Sequence, residues 1–161
     1  MKDATFTLEF TTHVLANSQG PEGDRDRFQR DSDNKLIWQQ SWWYSAFSQA
    51  IELAHIRGLK AADIHMNLAV EAETELYRRR YSLGGKDNCY RKHEAIMPGT
   101  KVTFEAIVAD HVTQSSLSKI LDRMGKYVGL SPYGYKLGYG KFNVTDVKVA
   151  PSDEDSTDTQ P

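Results

Sequence analysis

The residues best suited to chemistry lie in one stretch, SLSKILDRMGKYVGLSPYGYKLGYGKFNV, from Ser116 to Val144. Its glycines, Gly125, Gly129, Gly134, Gly138 and Gly140, let a backbone approach a ligand closely and turn N–H groups outward, a geometry suited to phosphate oxygens. Lys126, Lys136 and Lys141 add positive charge, and Tyr127, Tyr133, Tyr135 and Tyr139 add flat faces on which bases stack. Backbone donors, cations and rings together describe a contact with a phosphodiester backbone. The plainer alternative is a glycine-rich turn whose tyrosines cap the core. Two other stretches are basic: Arg78, Arg79 and Arg80 with Arg91 and Lys92 beyond them, and Arg25, Arg27 and Arg30 around Phe28.

The charge balance supports an anionic partner. The net charge of -2 hides a segregation: residues 1–77 carry 7 Lys and Arg against 12 Asp and Glu, whereas residues 78–150 carry 13 against 6. A basic second half is an electrostatic footprint for an anion, and the acidic tail at 151–161 is the usual companion that competes for it. The single cysteine, Cys89, excludes an internal disulfide, and no His/Cys pair has zinc-site spacing, so no metal and no cofactor are expected. No apolar run approaches the ~20 residues of a membrane span, and the amino terminus alternates polar and apolar residues, so the expectation is a cytoplasmic protein with no membrane partner.

Catalysis has thinner support. Metal-independent cleavage of RNA needs a base and an acid near the scissile phosphate, and His13 and His93 are the histidines placed for it, by a strand end and inside a basic stretch. Glu71, Glu73 and Glu75 share one strand face, which reads more simply as a solvated surface than as an ion site. No nucleophile-elbow, Walker or dinucleotide fingerprint is present. The expectation is binding without catalysis. A rival class is a protein-interaction or homo-oligomer surface built on Trp38, Trp42, Trp43 and Tyr44, which crowd the start of the first helix beyond what one apolar stripe buries.

The elements that position these residues follow from periodicity. Thr5 to Val14 alternates as a half-buried strand, Ser41 caps a helix that Gly58 stops, and Ile64 to Leu76 alternates again. Lys101 to Asp110 is a third strand, a second helix with Leu117, Ile120, Leu121, Met124 and Val128 on its stripe follows a cap at Thr113 or Ser115, and Lys141 to Val149 is the last strand. Polar stretches at 17–35 and 78–100 read as mobile loops, and 151–161 as a disordered tail. Strand-helix-strand twice over predicts a single α+β domain over 1–150 with a ferredoxin-like antiparallel sheet carrying both helices on one face. The exposed sheet positions, Thr5, Thr7, Glu9, Thr11, Thr103, Glu105 and Ile107, lack the aromatics of an RNA-recognition motif, so binding would fall to loops.

A helix running into a glycine-rich loop and straight into a domain-ending strand, Gly138-Tyr-Gly-Lys-Phe-Asn-Val, resembles the RAMP superfamily of CRISPR RNA-binding proteins, and also small phage proteins with a similar ending. The resemblance implies that Gly138 and Gly140, with Lys136 and Lys141, hold the backbone of single-stranded RNA or DNA. It implies further contacts from Arg25, Arg27 and Arg30 and from Arg78 to Arg80, Arg91 and Lys92. Certain RAMP members are histidine-dependent endoribonucleases, which is the role the resemblance offers His13 and His93. The family's loop commonly carries an arginine among its glycines, where this chain has tyrosines and lysines.

Overall fold

The structure is a computed structural model that describes residues 1–19, 25–82, 88–130 and 138–151. In chain order the elements are β1 (Lys2–Phe10), β2 (Val14–Leu15), β3 (Ser18–Gln19), β4 (Arg25–Arg27), β5 (Gln29–Arg30), β6 (Leu36–Ile37), α1 (Gln40–Ala54), β7 (Ile64–Met66) and β8 (Ala69–Val70). Then come β9 (Glu75–Ser82), β10 (Asn88–Ile96), β11 (Lys101–Val108), α2 (Gln114–Tyr127) and β12 (Phe142–Val149). This is an α+β arrangement of two helices and mainly antiparallel sheets.

The main sheet has the order β12-β1-β11-β7, antiparallel at every step. Period-2 alternation decides its faces. Ala4, Phe6, Leu8 and Phe10 of β1 are buried, as are Val102, Phe104, Ala106 and Val108 of β11, and the register sets Phe6 opposite Phe104. Both helices cover that face. Trp43 of α1 meets Phe6 and Phe104 edge-on at 5.9 and 4.9 Å, and Gly125 of α2 lies against Phe142 of β12. The opposite face carries Thr5, Thr7, Thr103 and Glu105, with the Thr7 and Thr103 hydroxyls 2.9 Å apart.

The helix ends show which local signals prevail. Thr113, one of the two caps the sequence offers, caps α2, its hydroxyl accepting from the Ser116 N–H at 3.0 Å. For α1 the expected cap, Ser41, is already inside the helix, and Gln39 occupies the capping position without a side-chain bond. The helix ends at Ala54, with His55 left-handed at φ 54°, ahead of the expected stop at Gly58.

Gly125 fixes the contact between α2 and the sheet, because a Cβ there would sit 2.2 Å from the Phe142 carbonyl oxygen. Gly125→Ala is therefore expected to cost about 1–3 kcal/mol through overpacking, read as a lower urea midpoint. An unchanged midpoint would show that helix and strand separate without cost.

Three expectations are corrected. The run from Ile64 to Leu76 is not one strand: β7 joins the main sheet, β8 pairs with β6, and Glu75 begins β9 of a different sheet. The stretch at 78–100, read as a loop, holds most of β9 and all of β10, which pair antiparallel, and 17–35 supplies β3, β4 and β5, of which β4 runs parallel to β10. These segments look like loops because neither face of the ribbon is a continuous apolar row. The aromatic cluster is also largely core. Trp38 and Trp43 are buried, Trp38 stacking near Phe10 and Phe28 at 6.1 and 6.4 Å, because Trp38 precedes the helix and enters the core from another direction. Trp42 is half-buried, and Tyr44 alone of the four is well exposed.

Candidate nucleic-acid interface

The β9–β10 ribbon sorts the basic residues by alternation. Antiparallel partners share a face, and the register pairs Arg78 with Lys92, Arg80 with Tyr90 and Leu76 with Glu94. Arg78, Arg80, Lys92 and Tyr90 are exposed on this face, and the Arg78 guanidinium lies 3.9 Å over the Tyr90 ring. On the other edge of β10, β4 places Arg25 beside Lys92 and leads to the exposed Arg27. One side of a short sheet thus collects cations from three strands.

The other face is closed by a polar network. Arg91 grips the buried Asp26 with two bonds, Nε to Oδ2 at 2.9 Å and Nη2 to Oδ1 at 2.6 Å. His93 is wholly buried, with Nδ1 2.7 Å from the Ala16 carbonyl oxygen and 3.2 Å from Asp26, while Arg79 Nε donates to its Nε2 at 3.2 Å. A nitrogen that accepts from arginine carries no proton, so the ring is the neutral Nδ1–H tautomer. Burial pushes the His93 pKa down, and the hydrogen bond from Arg91 holds the Asp26 carboxyl below its ordinary value. Both nitrogens of His93 are therefore engaged in joining β10 to β2, β4 and β9. Arg30 bonds the Glu94 carboxylate, which also accepts from the Phe28 N–H at 2.8 Å and the Thr74 hydroxyl at 2.6 Å.

The described ends of the glycine-rich loop are pinned to the foot of this ribbon. The Leu130 N–H donates to the Gly140 carbonyl and the Gly140 N–H to that of His13, both at 2.8 Å, and Lys141 N–H donates to the Thr12 hydroxyl at 2.9 Å. Gly140 has φ 75°, and a Cβ there would meet the Leu130 backbone at 2.6 Å, so only glycine fits. The His13 and Tyr77 rings lie 4.1 Å apart and Tyr139 meets Tyr77 at 6.2 Å. Burial lowers the His13 pKa.

Of the residues singled out in the sequence, the structure brings together Arg27, Arg78, Arg80 and Lys92 on one face, with Arg25 adjoining in register. Tyr139 meets Tyr77, whose alternation places it on the opposite face, while Gly140 and Lys141 bond to His13 and Thr12 and are not brought together with the cationic row. Arg79, Arg91 and His93 belong to the buried network, Arg30 pairs with Glu94, and Lys126 pairs with Asp122 at 3.4 Å on the surface of α2. Tyr133, Tyr135 and Lys136 lie outside the described residues, as does the tail beyond Pro151. Asp26, Glu94, Tyr77 and Tyr90 escaped sequence reasoning. The available signal was Asp26 alternating between Arg25 and Arg27. Among the described residues no group of three or more His, Cys, Asp or Glu side chains converges as a metal site, and no helix is long and apolar enough to cross a membrane.

No family model matches the chain, and no curated protein does. Among solved structures it is similar to a chain in the cryo-electron microscopy structure of the Type III-B Cmr-beta complex bound to cognate target RNA, with a TM-score of 0.59 and 14% identity. The likeness covers 93% of this chain and 61% of that one, so this chain spans about three fifths of its neighbour's length. At that identity the likeness is one of fold.

Proposed function

We propose that this chain is a RAMP-like, ferredoxin-like subunit that binds single-stranded RNA without cleaving it, within a larger ribonucleoprotein assembly. The observation that carries the reading is the register of the β9–β10 ribbon, which turns Arg78, Arg80 and Lys92 to one exposed face beside β4 while setting their acidic counterpart, Asp26, against Arg91 on the other. A solvent-facing row of cations with a ring among them suits phosphates and stacked bases. The strand order of the main sheet, last-first-third-second, supports the ferredoxin-like reading. The RNA-bound neighbour favours RNA over DNA and an assembly over a lone protein.

Fluorescence anisotropy with labelled single-stranded RNA and DNA tests this. RNA is expected to bind more tightly, with log affinity falling linearly against log salt at a slope of about -0.7 per phosphate neutralised. The RNA should come back intact in EDTA. Affinity indifferent to salt would sink the reading, and cleavage that disappears in His13→Ala would replace binding by catalysis.

A further inference from the structure

Two strands of eight residues, β9 and β12, leave one edge without a partner strand among the described residues. Such an edge is a template for another strand unless charge or shape closes it. β9 is closed to a copy of itself, because Arg78 and Arg80 would be set against one another. β12 carries one acid and one base, Asp146 and Lys148. Its ladder fixes which backbone groups face outward, since antiparallel partners alternate between pairs that exchange bonds and pairs that do not. The Ala150 N–H donates to the Asp3 carbonyl at 2.8 Å, so Lys148 and Asp146 also turn their backbone to β1, opposite Thr5 and Thr7. Val147 and Val149 turn theirs away from β1, and the Val149 N–H donates to the Gln114 side chain at 3.3 Å. The Val147 N–H and carbonyl have no partner among the described residues. On the helix side of the sheet, Val144, Val147 and Val149 pack against the core and stay half-buried. On the other side Asp146 and Lys148 stand exposed, Nζ 3.7 Å from Oδ2.

We infer that β12 pairs antiparallel with β12 of a second copy of this chain, about a two-fold axis at Val147. The axis sets Val147 against Val147 of the partner subunit, and the two exchange both backbone bonds. It sets Asp146 against Lys148 of the partner subunit, and Lys148 against Asp146 of the partner subunit. These positions fall on the pair without backbone bonds, where opposed side chains come nearest, about 5 Å between Cβ atoms. Four charges then alternate in sign, and each carboxylate gains a second ammonium. The half-buried valines of the two copies meet across the seam and lose contact with water. The ladder is irregular between Thr7 and Leu8, where Thr145 is the extra residue of β12, so the regular contact is short and its affinity modest. The inference stands apart from RNA binding, and a dimer of this kind carries two cationic faces.

Sedimentation equilibrium of the full chain, without nucleic acid, tests this. The parent is expected to pass from monomer to dimer with a dissociation constant on the order of 10 μM. Asp146→Lys and Lys148→Asp, both at exposed sites, each set like charges against one another across the axis and should weaken dimerisation by at least about tenfold. Mixed in equal amounts, the two variants should form a heterodimer at about the parental affinity, because one copy then carries two lysines at these positions and the other two aspartates. Recovery on mixing also shows that both variants are folded. A parent that stays monomeric at about 100 μM would overturn the inference. Single variants that dimerise as the parent does would place any dimer elsewhere and overturn it too. A mixture that gains nothing over its components, with both variants matching the parent in urea denaturation, would overturn the pairing of Asp146 with Lys148.

Discussion

Replacing Arg78, Arg80 and Lys92 together by alanine is expected to weaken single-stranded RNA binding on the order of 100-fold at low salt. At about 1 kcal/mol for each lost phosphate contact, three contacts amount to about 3 kcal/mol, a little over two factors of ten. The salt dependence carries the sharper statement. Each single-strand phosphate contact contributes about 0.7 to the slope of log affinity against log salt, so the triple variant should flatten that slope by about 2. Lys119→Ala supplies the control, because Lys119 is an exposed lysine on α2 and should leave both quantities unchanged. A triple variant that lost affinity with an unaltered slope would have lost structure instead of phosphate contacts. These three residues are exposed and Arg78 rests on Tyr90, so the fold should tolerate their truncation.

The contrast between Arg78 and its neighbour Arg79 shows where sequence reasoning reaches its limit. Three consecutive arginines read as one basic patch, and a patch was the expectation. A strand conformation sends Arg78 and Arg80 outward and Arg79 inward to His93, so the same composition divides into ligand-facing and structural parts. That division depends on 78–82 being a strand, and the strand is hard to read because its polar face and its network face are both hydrophilic. The long elements were legible for the opposite reason. β1, β11 and α2 each repeat their apolar period over eight residues or more, enough to specify a face. β3, β4 and β5 are two or three residues long and take their conformation from pairing, β4 from β10 across some 65 positions of sequence, a non-local cause that no window contains. Trp38 misled in another way. It lies outside α1, so helical spacing gave it no place in the core, yet it packs against Phe104 at 5.4 Å. The glycine-rich loop was rightly expected to join α2 to β12, and its pinning through His13 and Leu130 could not be read from the chain because it rests on backbone groups.

Asp26→Ala is expected to destabilise the protein by about 1.5–3 kcal/mol, because the part-buried Arg91 loses the carboxylate that accepts both bonds of its fork. Asp26 is buried, takes both bonds of the Arg91 fork, and lies 3.2 Å from the buried His93, so its loss strips β4 from β10 and exposes the seam that holds the cationic face rigid. Asp122→Ala is the matched control. Its pair with Lys126 is exposed, and such pairs contribute about 0–1 kcal/mol. Urea denaturation separates the two, and an Asp26→Ala midpoint no lower than that of Asp122→Ala would refute the network. Acid should reveal the same groups in two steps. Burial depresses the folded pKa of His93 below the ordinary 6.5, so the unfolded chain takes up the proton first, and its contribution is full above about 6.5 and declines as pH falls toward the folded value. The Asp26 carboxyl is held below 3.8 by Arg91, so its contribution is present above that value and is lost as pH falls through the lower folded pKa. Asp26→Ala should shrink the lower step, to which Asp63 and Asp110 also contribute, and the stability it removes near neutrality should shrink as pH falls below 3.8, because the parent then loses the same interaction by protonation.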